Sequence, residues 1–162
     1  MYRENIIRAM KLLSEDERVI FLGQGVAEKG TYMSTTLEGL PNRLELPVAE
    51  EMQMGMSIGL SLTGKIPVSV YPRWNFLLCA TNQLVNHLDK MKAHVIVRVG
   101  AGSTTPLYPG EQHVGDFTES FRLMCPNTRF VVLDSSDQVI PAYMEALNYN
   151  GPTVITELAD LY

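Results

Sequence analysis

Several large classes of protein are excluded by what this chain has little of. It carries two cysteines in 162 residues, Cys79 and Cys125, which form no CxxC pair. Both lie in apolar surroundings and read as reduced, buried thiols of a cytoplasmic protein rather than as a disulfide framework. Basic residues are outnumbered, 13 Lys and Arg against 18 Asp and Glu for a net charge of -5, and they are scattered. That leaves no cationic footprint for a nucleic acid. No run approaches the ~20 apolar residues of a membrane span, and MYRENIIRAM has no apolar core of the signal-peptide kind. No GxGxxG follows a strand, which disfavours a dinucleotide-binding module. Repeats, low-complexity tracts and internal linkers are also missing. We expect a soluble, cytoplasmic protein without nucleic-acid or membrane partners.

What is present suffices for a core: 46% of residues are hydrophobic and mean hydropathy is +0.01. A single domain over residues 1–162 is the expectation at this length. Two hydrophobic periods alternate along it. Tyr2 to Leu13 has helical spacing (Ile6, Ile7, Met10, Leu12, Leu13), and Arg18 to Leu22 reads as a buried strand closing on Gly23. Beyond the turn GQGVAEKG and a short Thr-capped segment, Arg43 to Leu46 is a brief strand. Strands follow at Ile66 to Tyr71, Val95 to Val99, Arg129 to Leu133 and Thr153 to Thr156. Helices are predicted at Trp74 to Met91, Phe117 to Met124 and Val139 to Leu147. Strands separated by helices require crossovers, so the fold class is α/β: three layers, with a mostly parallel sheet covered by helices on both faces.

The stretch Pro47 to Gly64, PVAEEMQMGMSIGLSLTG, stands out. Pro47 disfavours helix before it, and Glu50 and Glu51 suit a first helical turn, so a helix is predicted from Val48 or Ala49. Gly55 and Gly59 each cost it roughly 1 kcal/mol of propensity against alanine, a loss that close packing by another backbone would offset. Met52, Met54, Met56, Ile58, Leu60 and Leu62 make it apolar nearly all round. The expectation is a buried helix, packed against another chain. A carboxylate at its head is costly unless paired or put to use.

In parallel sheets ligands sit beyond the carboxyl ends of the strands. There the connection GAGSTTPLYPGEQHVG, Gly100 to Gly115, is long enough to be uncommon without a role, though it also reads as a surface excursion rich in turn formers. It holds His113, one of three histidines; His87 and His94 read as structural or interfacial.

Four features then coincide in order. They are Pro47, Val48, Ala49, Glu50 with Gly55 and Gly59; an aromatic-led helix, NFLLCATNQLVNHLDKM, with Asn86 and Lys90; the loop histidine in EQHVGDF; and the closing GPTVITELADLY. On these motifs the chain from Val19 to Tyr162 resembles the pyrimidine-binding domain of the transketolase-like thiamine diphosphate enzymes, in particular the beta subunit of the decarboxylating component of 2-oxo acid dehydrogenases. Motifs in the right order and context carry weight that single ones do not.

The resemblance implies roles. Glu50, and not Glu51, matches the acid that meets the ring nitrogen of the cofactor's aminopyrimidine and promotes the tautomer that takes a proton from the thiazolium carbon. Phe76 matches an aromatic that stacks on the aminopyrimidine, Trp74 would border the same pocket, and His113 matches a histidine that reaches the substrate-derived intermediate. Gln24 stands near the cofactor's edge where relatives carry an acid, and Asn82 where an aspartate is common. On the residues alone the bland readings lead: Glu50 reads as a solvated helix-start charge, Phe76 as a core aromatic, and His113 as a bystander. The family's diphosphate is held through a divalent metal on a Gly-Asp-Gly and asparagine motif. The only Gly-Asp here, Gly115 and Asp116, runs into Phe117, so no metal ligand is assigned to this chain.

Together these imply half of a split enzyme. A separate chain would hold the diphosphate and Mg2+, this chain would form a homodimer within a hetero-oligomer, and the reaction would cleave or form a carbon–carbon bond next to a carbonyl. A C-terminal transketolase domain is not expected. The alternative is a catalytically degenerate scaffold or regulator of the same fold.

Overall fold

Runs of β-branched residues that are apolar on both sides of the pleat form strands buried on both faces, which is the habit of parallel sheets. Six strands make up one sheet, β1 (Val19–Gly23), β2 (Arg43–Glu45), β3 (Ile66–Tyr71), β4 (Ile96–Ala101), β5 (Arg129–Leu133) and β6 (Thr153–Leu158), of which the edge strands β2 and β5 are only partly buried. Their spatial order is β2-β1-β3-β4-β6-β5, and every neighbouring pair is parallel. The computed structural model from which this follows describes residues 1–104 and 107–162; residues 105 and 106 of the long loop lie outside the described residues.

Helices close both faces. On one, α1 (Tyr2–Ser14) and α6 (Val139–Asn148) pack Ile6, Met10, Leu13, Val139 and Tyr143 onto Phe21, Val68, Val70 and Ile155. On the other, α2 (Glu50–Leu62), the helical run beginning at α3 (Trp74–Leu77), and α5 (Thr118–Met124) pack Met54, Trp74, Leu84, Leu88 and Phe121 onto Val95, Val97, Val99 and Val154. The three-layer expectation holds, with a sheet that is wholly parallel. Among the described residues no helix is long and apolar enough to cross a membrane.

Two elements differ from the sequence reading. The long helix expected from Trp74 to Met91 changes pitch: α3 continues as a 3-10 turn at Leu78–Ala80, a π stretch at Gln83–Leu88 and α4 (Asp89–Met91). A π turn holds five residues rather than four, so Leu84 and Asp89 both face inward. Asp89 there accepts from the Asn127 backbone N–H at 2.8 Å and the Thr128 hydroxyl at 3.0 Å, tying the helix end to the turn before β5.

Helix α2 is one-sided rather than buried all round. Gln53, Met54, Ser57 and Ile58 face the sheet, whereas Met52 is 42% and Leu62 65% exposed. A methyl built on Gly55 or Gly59 would meet nothing within 4 Å. The close packing expected around the two glycines is therefore not supplied by this chain.

Between β4 and β6, on the α1/α6 face, a fully enclosed ion pair interrupts the apolar layer. Arg98 donates to Glu157 from Nε at 2.7 Å and from Nη2 at 2.9 Å. Its Nη2 also reaches the Tyr162 hydroxyl at 2.7 Å, and the hydroxyls of Tyr143 and Tyr162 both donate to Glu157. Burial is the main reason both phenols stand well above their usual range. Removing one partner of such a pair strands the other charge. Arg98→Met is expected to cost about 3–5 kcal/mol in chemical denaturation, and Arg98→Met with Glu157→Gln less than the sum of the two single losses. Additive losses would mean that the pair is not coupled.

Candidate active site

The predicted residues gather where β1, β3 and β4, three adjacent strands, run out at their carboxyl ends. The chain leaves β1 at Gly23, whose φ of 144° lies where side chains are disfavoured. A Cβ there would sit 2.4 Å from the Val70 carbonyl oxygen and 2.8 Å from Gln53 Nε2. That bare position lets α2 lie close: the buried Gln53 donates to Ser69 Oγ at 3.1 Å and to the Val70 carbonyl at 2.9 Å, fixing the first turn of the helix against β3. The Tyr71 hydroxyl, at the end of β3, donates to the Glu50 carbonyl at 3.3 Å.

Glu50 is therefore held by its backbone on two sides, and its side chain comes to rest beside Gln24. Gln24 Nε2 donates to Glu50 Oε1 at 3.1 Å; among the described residues no bond is made by Oε2. Glu50 is 8% exposed and borders a hollow of about 370 Å³ with Ala49, Glu51, Met52 and Cys79. Glu51 lies on the exposed rim. Cys79, expected to be buried, is exposed at this hollow because the 3-10 turn carries it outward.

Gln24 owes its position to a residue that the sequence reading passed over. Glu45, the last residue of β2, accepts the backbone N–H groups of Gly25 at 2.6 Å, Val26 at 2.8 Å, Ala27 at 2.7 Å and Glu28 at 3.0 Å. Burial alone would push its carboxyl up, but these four hydrogen bonds outweigh that and hold it below the usual range. A glycine-rich turn next to a strand that ends in an acid was the available signal.

Phe76 and His113 form a second pair. Their ring centroids are 5.7 Å apart in an edge-on arrangement, and Phe76 borders a cavity of about 300 Å³ with Tyr32, Pro72, Arg73, Ser103 and Leu107. His113 Nδ1 is shut off from solvent without a hydrogen-bond partner among the described residues. Phe76 and Cys79, three residues apart on one helical run, face the two hollows in turn. The larger groove of about 550 Å³ along α6, with Arg129, Glu145 and Tyr149, lies at the amino end of β5 and holds none of the predicted residues.

Trp74 is corrected. Its ring is fully enclosed, stacked on Phe121 at 5.2 Å, with Nε1 donating to Thr156 Oγ1 at 3.1 Å, so it lies behind the pocket as core and presents no surface to it. Asp116 is likewise committed, accepting from the backbone and hydroxyl of Thr118 at 2.9 and 2.6 Å as α5 begins. Asn82 accepts from Asn86 at 2.8 Å on the exposed side of the π stretch. Among the described residues no cluster of three or more His, Cys, Asp or Glu is placed to hold a metal ion.

Comparison with known proteins gives a consistent picture. Residues 2–162 match the family model described as transketolase, pyrimidine binding domain. The 3-methyl-2-oxobutanoate dehydrogenase subunit beta of Mycobacterium tuberculosis is 30% identical over 131 residues, 74% of this chain and 37% of that protein. The pyruvate dehydrogenase E1 component subunit beta of Gracilaria tenuistipitata is 25% identical over 163 residues, 93% of this chain and 50% of that protein. Among solved structures, a split gene transketolase described as an inactive beta4 tetramer superposes with a TM-score of 0.75 at 21% identity, covering 96% of this chain and 50% of that one. The chain thus spans half or less of the length of these relatives.

The Glu45 cradle makes a pH-dependent prediction. A carboxyl held low by folding contributes stability that is present above its unfolded value of ~4.3, and is lost as pH falls through the lower folded value. Glu45→Gln is expected to destabilise by about 1–3 kcal/mol at neutral pH, with the difference from the parent shrinking below roughly pH 4. Denaturation midpoints at pH 7 and pH 3 test this; a difference unchanged between them counts against the cradle.

Proposed function

This chain belongs to the transketolase pyrimidine-binding domain family, and from that premise we propose that it supplies the pyrimidine side of a thiamine diphosphate site shared with a second chain. The second chain would hold the diphosphate and Mg2+, and the complex would act as a transketolase or 2-oxo acid dehydrogenase. The observation that carries the reading is the Glu50 carboxyl, nearly buried at the head of α2, anchored through Oε1 by Gln24 and bordering an open hollow.

These residues fit the group. Bound there, thiamine diphosphate supplies the carbon nucleophile for making or breaking a bond next to a carbonyl. Glu50 holds a proton at the pyrimidine ring nitrogen through the oxygen that Gln24 leaves unoccupied. Gln24 fixes the rotamer of that carboxyl through a neutral amide, which adds no further negative charge against it. Phe76 offers an aromatic face that orients a planar ring at low entropic cost. His113, poised at the edge of Phe76 with Nδ1 unpaired among the described residues, exchanges a proton with whatever is being transformed. The homodimer within this assembly would use the open face of α2, where Gly55 and Gly59 admit a close neighbour. A degenerate scaffold is the weaker reading, because it gives no reason to keep a carboxyl and an imidazole part-buried and incompletely bonded.

Two measurements test the proposal. Calorimetry on the isolated chain should detect only weak binding of thiamine diphosphate, with no gain from magnesium, and addition of the partner chain should restore tight binding. Tight, magnesium-dependent binding by this chain alone would sink the shared site.

In the assembled enzyme, Glu50→Gln should leave folding intact, since its amide oxygen can still accept from Gln24, while cutting turnover roughly a hundred- to ten-thousand-fold. Glu51→Gln, on the exposed rim, should do far less. Equal effects of the two would show that the acid is misassigned.

A further inference from the structure

We propose that Arg73 is a positioning residue that sets His113 against Phe76, by clamping both ends of the loop between β4 and α5. The two rings belong to different parts of the chain, Phe76 to the helical run after β3 and His113 to the loop after β4. Their edge-on contact needs something to fix one relative to the other. Arg73 touches both parts.

Its side chain crosses to the loop. Nη1, with two hydrogens, donates to the carbonyl of Gly102 at 3.2 Å and to the carbonyl of His113 at 3.0 Å. One nitrogen thereby joins the residue where the loop leaves β4 to the histidine near its other end. Hydrogen bonds from a charged donor are roughly twice as strong as neutral ones, and a planar guanidinium gives up less freedom per bond than a flexible ammonium does. The Arg73 backbone, extended at φ -150° and ψ 147°, starts the other element: its carbonyl accepts the N–H of Phe76 at 3.1 Å and of Leu77 at 3.4 Å. The same residue thus begins the helix that carries Phe76 and ties down the loop that carries His113.

The clamp has a rigid base. Tyr32 donates from its hydroxyl to the carbonyl of Pro72, the residue before Arg73, at 3.0 Å. Both pack over Gly100, where a Cβ would come within 1.8 Å of the Tyr32 oxygen and 2.4 Å of the Pro72 oxygen. The turn that presents Arg73 is therefore held by β4 itself. Because the Phe76 helix start depends on the Arg73 backbone and the loop on its side chain, side-chain substitution releases His113 and leaves Phe76 in place.

The consequence for turnover rests on the role given to His113 above; the clamp does not, and the test separates them. In the isotopically labelled full chain, nuclear Overhauser contacts between the His113 and Phe76 rings should be present, lost in Arg73→Met, and partly kept in Arg73→Lys, which retains the charge and rotatable donors. Amide exchange at Thr104 and His113, whose N–H groups bond to Asp160 and to the Gly110 carbonyl, should speed up in Arg73→Met while the strands keep their protection. Ring contacts that survive Arg73→Met would overturn the clamp. In the enzyme assembled with its partner chain, Arg73→Met should slow turnover by roughly a hundredfold, matching His113→Ala. The double variant should be no slower than either. A double variant slowed by the product of the two effects would overturn the positioning role. If His113→Ala leaves turnover intact while the ring contacts behave as expected, the clamp stands and the role assigned to His113 falls.

Discussion

A guanidinium and a carboxylate shut inside an otherwise apolar layer govern how the carboxyl edge of this sheet is built. Arg98 stands opposite Ile155 across the β4–β6 ladder, and Glu157 lies two residues further on the same face. The pair survives only because every approach is covered by something that bonds to it or excludes water: Tyr143 from α6, Tyr162 beyond β6, and the rings of Tyr2 and Tyr32 edge-on to Tyr162 at 5.7 and 4.6 Å. Leaving either charge unpaired there would be severely destabilising. The arrangement therefore fixes the end of β4, and with it Gly100 and the departure of the long loop. Tyr32, recruited to cover the pair, is also the residue that fastens the Pro72 turn.

The site is thus assembled by backbones brought close and then tied by long polar side chains. Gly23 lets Gln53 reach β3, which sets the head of α2; Gly100 lets Tyr32 and Pro72 meet, which sets the turn before Phe76. Glu45 gathers four amides of the first turn, and Arg73 gathers two carbonyls of the loop. In each case a charged side chain satisfies main-chain groups that the irregular segment does not satisfy itself.

Much of this was legible beforehand. The alternation of period and the runs of β-branched residues announced the strands, and Pro47 followed by two acids announced the head of α2, because these are local effects of backbone chemistry. Glu50 was told apart from Glu51 only by the family resemblance, since local chemistry reads both as helix-start charges. Glu45 left a signal in the glycine-rich turn that precedes its strand, whereas Arg73 and Arg98 left none, since each acts on residues distant in sequence: Arg73 reaches 40 positions to His113 and Arg98 reaches 59 to Glu157. Trp74 was misjudged because its neighbour Phe76 lines a cavity; a helical turn of 100° per residue sends the two rings to different sides, one to Phe121 and the core, the other to His113. The one-sided packing of α2 was hidden too, because methionine and leucine at most positions of its sequence mask which side meets the sheet.

The change of pitch after Leu77 leaves the chain with two thiols of opposite accessibility. Cys125 is sealed in the core and burial pushes it up to about 11, which removes nearly all of its thiolate at neutral pH. Cys79 is exposed at the hollow that Glu50 borders. A maleimide or haloacetamide offered to the folded chain will therefore discriminate between them, attaching at Cys79 and leaving Cys125 untouched. A fluorophore or spin label can thus be installed at the mouth of the hollow without any engineered substitution, where its signal would register directly what enters.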